Sequence, residues 1–181
     1  MKKTLLQEIS WIGCVLLMTA LPTLAQEHKW AGRTLEGLEW RVHEELVMLP
    51  FHGVFDTLRF ELQGKTVTLS GQVVRETVKL NAERVIKRLD GVESVINQIE
   101  VLPSSRRDDA IRMNVYRVIY EKQQLEKYGT RAVPPIHIIV KDGNVTLEGV
   151  VDSETDRKMA YLRALKVAPH VANNLRVAPE D

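Results

Sequence analysis

Apolar residues in this chain recur at two spacings, three-to-four and two, and the spacings alternate in the same order twice. Leu35, Leu38, Val42, Leu46 and Leu49 form a helical stripe that Pro50 terminates. Leu58-Arg59-Phe60-Glu61-Leu62 alternates as a half-buried strand should, and Gln63-Gly64-Lys65 turns the chain into a second strand over Thr66 to Val73. Val78, Ala82, Val85, Ile86 and Leu89 predict a second helix ended by Asp90-Gly91, and Val95 to Val101 a last strand. The order then repeats. Ile111, Val115, Val118 and Leu125 form a stripe, Ile136 to Val140 a strand, and Asp142-Gly143 a tight hairpin turn with positive φ at both residues. Ser153, with Asp156 three residues on, opens a helix running to Lys166, and Val171 to Val177 closes the copy.

The repetition extends to individual residues. Val67-Thr68-Leu69 and Gly71 recur as Val145-Thr146-Leu147 and Gly149 at an offset of 78, and so does Ala82 as Ala160. After a contraction of two residues, Val95, Asn97, Ile99 and Val101 recur as Val171, Asn173, Leu175 and Val177. Such a period marks a duplicated small domain rather than a solenoid. The fold class expected is α+β: two tandem αββαβ domains, each a three-stranded mixed sheet covered on one face by two helices. The domains span 34–102 and 109–179, joined by a linker over 103–108. In each, the second and last strands flank a helix and should run parallel. Gly71 and Gly149, inside strands, mark a bulge or a close backbone approach. Asn97 and Asn173 are expected to satisfy backbone groups at an edge or bulge. Domains of some 70 residues are marginal alone, which favours docking between the copies.

Residues 1–25 stand apart. Lys2 and Lys3 precede a mostly apolar run from Ile9 to Leu24, and small residues end at Ala25. This is the pattern of a secretory signal peptide cleaved before Gln26. A retained anchor is disfavoured by Pro22. Lipid attachment at Cys14 is disfavoured by Trp11 and by an apolar run that lies mostly after the cysteine. Cys14 is the only cysteine, so a cleaved chain has no disulfide and no thiolate chemistry.

Charge changes the picture next. Between Thr34 and Leu102 eight basic residues stand against eleven acidic ones, a net of −3; from Arg106 to Asp181 thirteen stand against eleven, a net of +2. Neither half has the strong basic excess of a nucleic-acid-binding domain. Catalytic patterns are missing too. There is no Gly-x-Ser-x-Gly elbow or phosphate-cradling glycine loop. The five histidines are scattered; His137, between Ile136 and Ile138, is expected to face away from the core. Asp152, Glu154 and Asp156 resemble the start of a calcium loop, but Arg157 and Arg163 stand where such a loop needs Gly and Glu. The acids instead suit a helix N-terminus. The expectation is a non-enzymatic protein with no cofactor, no metal and no small-molecule substrate.

The run Gly-x-Val-Thr-Leu-x-Gly-x-Val, a helix containing Ala, then Val-x-Asn-x-Leu/Ile-x-Val, resembles the BON domain (bacterial OsmY and nodulation). Both copies carry it, so the resemblance covers nearly the whole chain after residue 25. The second copy is the closer match, except that Val167-Ala168-Pro169 replaces the Gly91-Val92 of the first. The resemblance implies an αββαβ domain, often duplicated, in exported envelope proteins. It also implies binding to phospholipid or other envelope surfaces, and no catalytic residues.

The copies differ most in their first helices. The first carries Glu36, Glu39, Glu44 and Glu45 against Arg41; the second carries Arg112, Arg117, Lys122 and Lys127 among Tyr116, Tyr120 and Tyr128. With Ile111, Val115, Val118 and Leu125 on the sheet, the opposite face is expected to present Met113, Arg117, Tyr120, Gln124 and Lys127. Cations and interfacial tyrosines suit anionic headgroups. The candidate headgroup site is Arg112, Met113, Tyr116, Arg117, Tyr120 and Lys127, acting in the periplasm on an anionic phospholipid surface. The alternatives are a soluble chaperone-like, stress-protective protein, and an adaptor for an envelope protein or peptidoglycan.

Overall fold

A computed structural model describes residues 35–121, 124–131 and 133–179. The expected signal peptide lies outside the described residues. The first domain runs α1 (Leu35–Val47), β1 (Thr57–Gln63), β2 (Thr66–Val73), α2 (Glu76–Ile86), β3 (Ser94–Asn97) and β4 (Glu100–Val101). The second runs α3 (Arg106–Tyr120), a 3-10 turn at Glu126–Thr130, β5 (Ile136–Lys141), β6 (Asn144–Val151), α4 (Glu154–Leu165) and β7 (Val171–Val177). In each domain the hairpin is antiparallel, and the strand after the helix joins it parallel. The α+β duplication thus stands as the sequence predicts.

Burial follows the stripes in the first domain. Leu38, Val42, Leu46 and Leu49 pack with Val67, Leu69 and Val73 of β2 and with Val78, Ala82 and Ile86 of α2. The shared glycines have one reason. Both have φ near +119, and an added Cβ would lie 2.2 Å from the Thr57 carbonyl oxygen at Gly71 and 1.9 Å from that of Pro135 at Gly149. The shared asparagines have another. Asn97 Nδ2 donates to the Lys79 carbonyl while its Oδ1 accepts from Ile99 N; Asn173 does the same with Arg157 and Leu175. Each ties the last strand to the helix before it.

Three expectations need correcting. The first domain's last strand is not continuous: Gln98 and Ile99 interrupt it between β3 and β4. Ile99 nevertheless reaches the core, at 1% exposure. The second half of the expected linker is already helix, because Ser105 caps α3 by accepting from Asp108 N at 3.2 Å. The stripe on α3 is rotated by about one residue. Val115 and Ile119 are fully buried, whereas Ile111 and Val118 are only partly so. Leu125 is buried, but beyond the end of the helix.

Candidate functional site

Polar residues cause that rotation. Asp108, Arg112, Val115 and Ile119 lie along one face of α3, and the first two are buried at 3% and 2% exposure. Asp108 accepts from Asp142 N (3.0 Å) and Gly143 N (2.9 Å), the β5–β6 turn whose φ angles are +54° and +80°. Arg112 donates to the Val140 carbonyl at 2.7 Å and to Asp109 at 2.5 Å. Burying a charge is costly unless its polar atoms find partners: Asp108 accepts from two backbone N–H groups, and Arg112 donates to a carbonyl and pairs with Asp109. Together they fasten α3 to the hairpin. A search for apolar periodicity misses them. Their visible signal is a spacing of four, three and four through Asp108, Arg112, Val115 and Ile119.

Tyr120 is the second departure from the expected outward face. Its hydroxyl donates to the Ile136 carbonyl and accepts from Ile136 N, and burial raises its pKa. Tyr116 is half-buried between Tyr120 and Phe55, with ring centroids 5.0 and 6.1 Å away. Lys127 lies on the 3-10 turn rather than on α3. Gln124, with φ +79°, lies between the two. Of the six candidate residues, Met113 and Arg117 stand exposed on α3. Arg106, Ala110, Met113 and Arg117 then form an outward stripe, and neither arginine is in an ion pair with a described residue.

Lys127 belongs to a closed network. Its Nζ donates to Asp152 at 2.8 Å and to Asp156 at 2.9 Å, and it sits 4.7 Å from the centroid of the Tyr128 ring. Those two carboxylates raise the lysine's pKa. Burial pushes Asp156 upward, but hydrogen bonds from Lys127, Tyr128 and Ser153 outweigh it and lower the carboxyl's pKa. Ser153 accepts from Asp156 N as the cap predicts. The Asp156 side chain also accepts from the Tyr128 hydroxyl at 2.8 Å. The acids thus hold the turn against α4, and among the described residues no group of three or more ligating side chains could hold a metal.

The two domains meet along β5. Ile138 N donates to the Val54 carbonyl at 2.8 Å, and Val54 and Phe55 pack into the second core. Arg59 and Thr57 both donate to Glu148, and Lys141 pairs with Glu100. His52 and His137 stack across this seam with centroids 6.0 Å apart. Burial lowers the pKa of both from 6.5. For His52 the neighbouring His137 adds to the lowering and Asp56 opposes it; for His137 the carbonyls of Asp56 and Gly53 are the main opposition. The folded chain therefore keeps both neutral where the unfolded chain takes up protons. Stability is complete above the ordinary value and declines as pH falls through 6.5 toward the lowered values. Thermal unfolding should show a midpoint that drops as pH falls below 6.5, with the drop reduced in H52F/H137F. An unchanged pH slope in that variant would exclude the pair as its source.

The solved structures similar to this chain include two of CdsD, a structural protein of the type III secretion system of Chlamydia trachomatis. One is 11% identical and covers 80% of this chain and 94% of that one, with a TM-score of 0.31. The other, the C-terminal domain, is 14% identical and covers 75% and 62%, with a TM-score of 0.28. Similarities this low carry no conclusion about this chain. No curated protein sequence matches it. The family model of the BON domain matches residues 57–103 and 121–179, one segment in each copy, and leaves out α1 and α3. BON domains are phospholipid-binding and envelope domains, generally without enzymatic activity. With more than half of its length matched, and each matched segment lying in one αββαβ copy, the chain belongs to the BON domain family.

Proposed function

We propose that this protein docks on anionic phospholipid surfaces through the exposed stripe of α3. The observation that carries this reading is the placement of Arg106 and Arg117, unpaired among the described residues, on either side of the exposed Met113. Each cation near an anionic surface contributes about 1 kcal/mol, and the methionine adds apolar contact with the headgroup boundary. Arg112, Tyr116, Tyr120 and Lys127 have a different part in the same site. Arg112 and Tyr120 hold α3 on the hairpin, Tyr116 packs it against the first domain, and Lys127 fixes the following turn. In this reading residues 1–25 direct export and the protein acts in the periplasm, peripheral to a membrane. No helix among the described residues is long and apolar enough to cross one.

Sedimentation of the full chain with vesicles of mixed anionic and zwitterionic lipid tests this. Binding should rise with the anionic fraction and fall with salt. R106Q/R117Q removes two cations, so the partition coefficient should drop roughly thirtyfold, the equivalent of about 2 kcal/mol. No binding to anionic vesicles at low salt, or full binding by the double variant, would overturn the reading.

A further inference from the structure

The duplication places two equivalent sheet edges in the molecule, and they end differently. At the offset of 78, Leu58, Phe60 and Leu62 of β1 correspond to Ile136, Ile138 and Val140 of β5. The three β5 residues are fully buried, each at 0% exposure, because Val54 and Phe55 lie along that edge and Val54 accepts from Ile138 N. The three β1 residues are only half-buried, and among the described residues β1 pairs with β2 alone. The two-residue turn at Gly64-Lys65 makes Gln63 and Thr66 a hydrogen-bonded pair. Alternation along the ladder then turns the N–H and C=O groups of Leu58, Phe60 and Leu62 away from β2. Ile138, equivalent to Phe60, shows that phase directly by donating outward. Open grooves run along this edge, between Glu39, His43 and Val47 of α1 and the strand.

Among the described residues no strand covers this edge, and a long open edge is a template for another strand. The order of side chains on β1 says which. In an antiparallel pair of two β1 strands centred on Phe60, Leu58 faces Leu62, Phe60 faces Phe60, and Arg59 faces Glu61 on both sides of the axis. The outward backbone groups fall on the hydrogen-bonded pairs of such a ladder, and the opposite charges on the non-bonded pairs, where side chains approach most closely. Arg59, 58% exposed in its side chain, retains room for a second partner beside Glu148. We propose that a second copy of this chain docks on this edge, β1 against β1, forming a two-fold dimer with one sheet continuous across both first domains. An isologous interface needs a self-complementary surface, and this strand is one.

Sedimentation equilibrium over a concentration series, on the full chain, tests the pairing. The chain should dimerise. E61K alone and R59E alone each set like charges opposite one another twice, so each should weaken the dimer on the order of tenfold. Mixed together the two variants should associate again. The E61K strand then carries a cation at both charged positions and the R59E strand an anion at both, so every facing pair is of opposite sign. Amide exchange at Phe60 and Leu62 should slow at dimer concentrations. A dimer indifferent to both charge changes, or mixed variants that remain apart, would overturn the proposal. So would a chain that stays monomeric across the whole concentration series, with the Phe60 amide exchanging at the same rate throughout.

Discussion

Replacing Gly149 with alanine is expected to cost about 4 kcal/mol of stability, a large share of the 5–15 kcal/mol typical of a folded protein. Two effects add. At φ +119° an L side chain is strained by about 1–3 kcal/mol. The new Cβ would also sit 1.9 Å from the Pro135 carbonyl oxygen. That oxygen belongs to backbone at the start of the facing strand and accepts from Val150 N, so no side-chain rotation relieves the contact. Forcing atoms into a packed site costs a further amount of about 1–3 kcal/mol. Gly71→Ala should behave alike, with the Thr57 oxygen at 2.2 Å. Two other glycines separate the causes. Gly64 has φ +60° and open space around its Cβ position, so Gly64→Ala should show strain alone, about 1 kcal/mol. Gly53 has neither positive φ nor a neighbour within 4 Å, so Gly53→Ala should be nearly neutral. Urea titration of the four variants would read this order directly. A Gly149→Ala protein as stable as Gly53→Ala would refute the argument.

These glycines show why the fold is legible in the sequence and the site less so. Fold information repeats in this chain, and repetition separates scaffold from accident. Gly71 with Gly149, and Asn97 with Asn173, make the same contacts in both copies, so comparing the copies identifies them without coordinates. The site depends on residues with no counterpart. Asp108 and Arg112 complete an apolar stripe with charged groups, and hydropathy alone assigns charged groups to solvent. It places the polar tip of Tyr120 outward for the same reason. A hydroxyl that serves both backbone groups of Ile136 can be recognised only once α3 and β5 are adjacent. Lys127 reads as a continuation of α3, but the chain leaves the helix after Tyr120, and Asp152 and Asp156 then hold the lysine. The seam between domains is the least legible. His137 does leave its own core, yet it meets His52 rather than water. Ile139 is buried at 2% although its neighbours Ile138 and Val140 face the core, so its cover lies on the opposite side of the sheet. Long-range contacts of that kind leave no period in the sequence.

The second large effect is expected at Asp108. Asp108→Ala deletes the acceptor for two backbone donors in the β5–β6 turn, Asp142 N and the buried Gly143 N. Each buried group left unsatisfied costs about 1–3 kcal/mol, and bonds to an ionised acceptor lie at the strong end, so a loss of about 3–4 kcal/mol is expected. Asp108→Asn keeps one acceptor oxygen and should lose about half as much. Ser105→Ala, which removes only the cap on Asp108 N, should cost about 1 kcal/mol. Stability alone would not distinguish a lost anchor from general loosening, but amide exchange does. In Asp108→Asn the amides of Asp142 and Gly143 should speed up ahead of those in β6. Uniform acceleration would mean that Asp108 supports the whole domain rather than this joint. The joint matters beyond stability because α3 carries the Arg106–Met113–Arg117 stripe. A helix held by Asp108 and Arg112 presents the three residues together on one surface, and a helix freed from the hairpin does not. Vesicle binding in Asp108→Asn should therefore weaken although no exposed residue has changed. If binding stays intact while the turn amides exchange faster, the stripe acts through its charges alone and the orientation of α3 is irrelevant to docking.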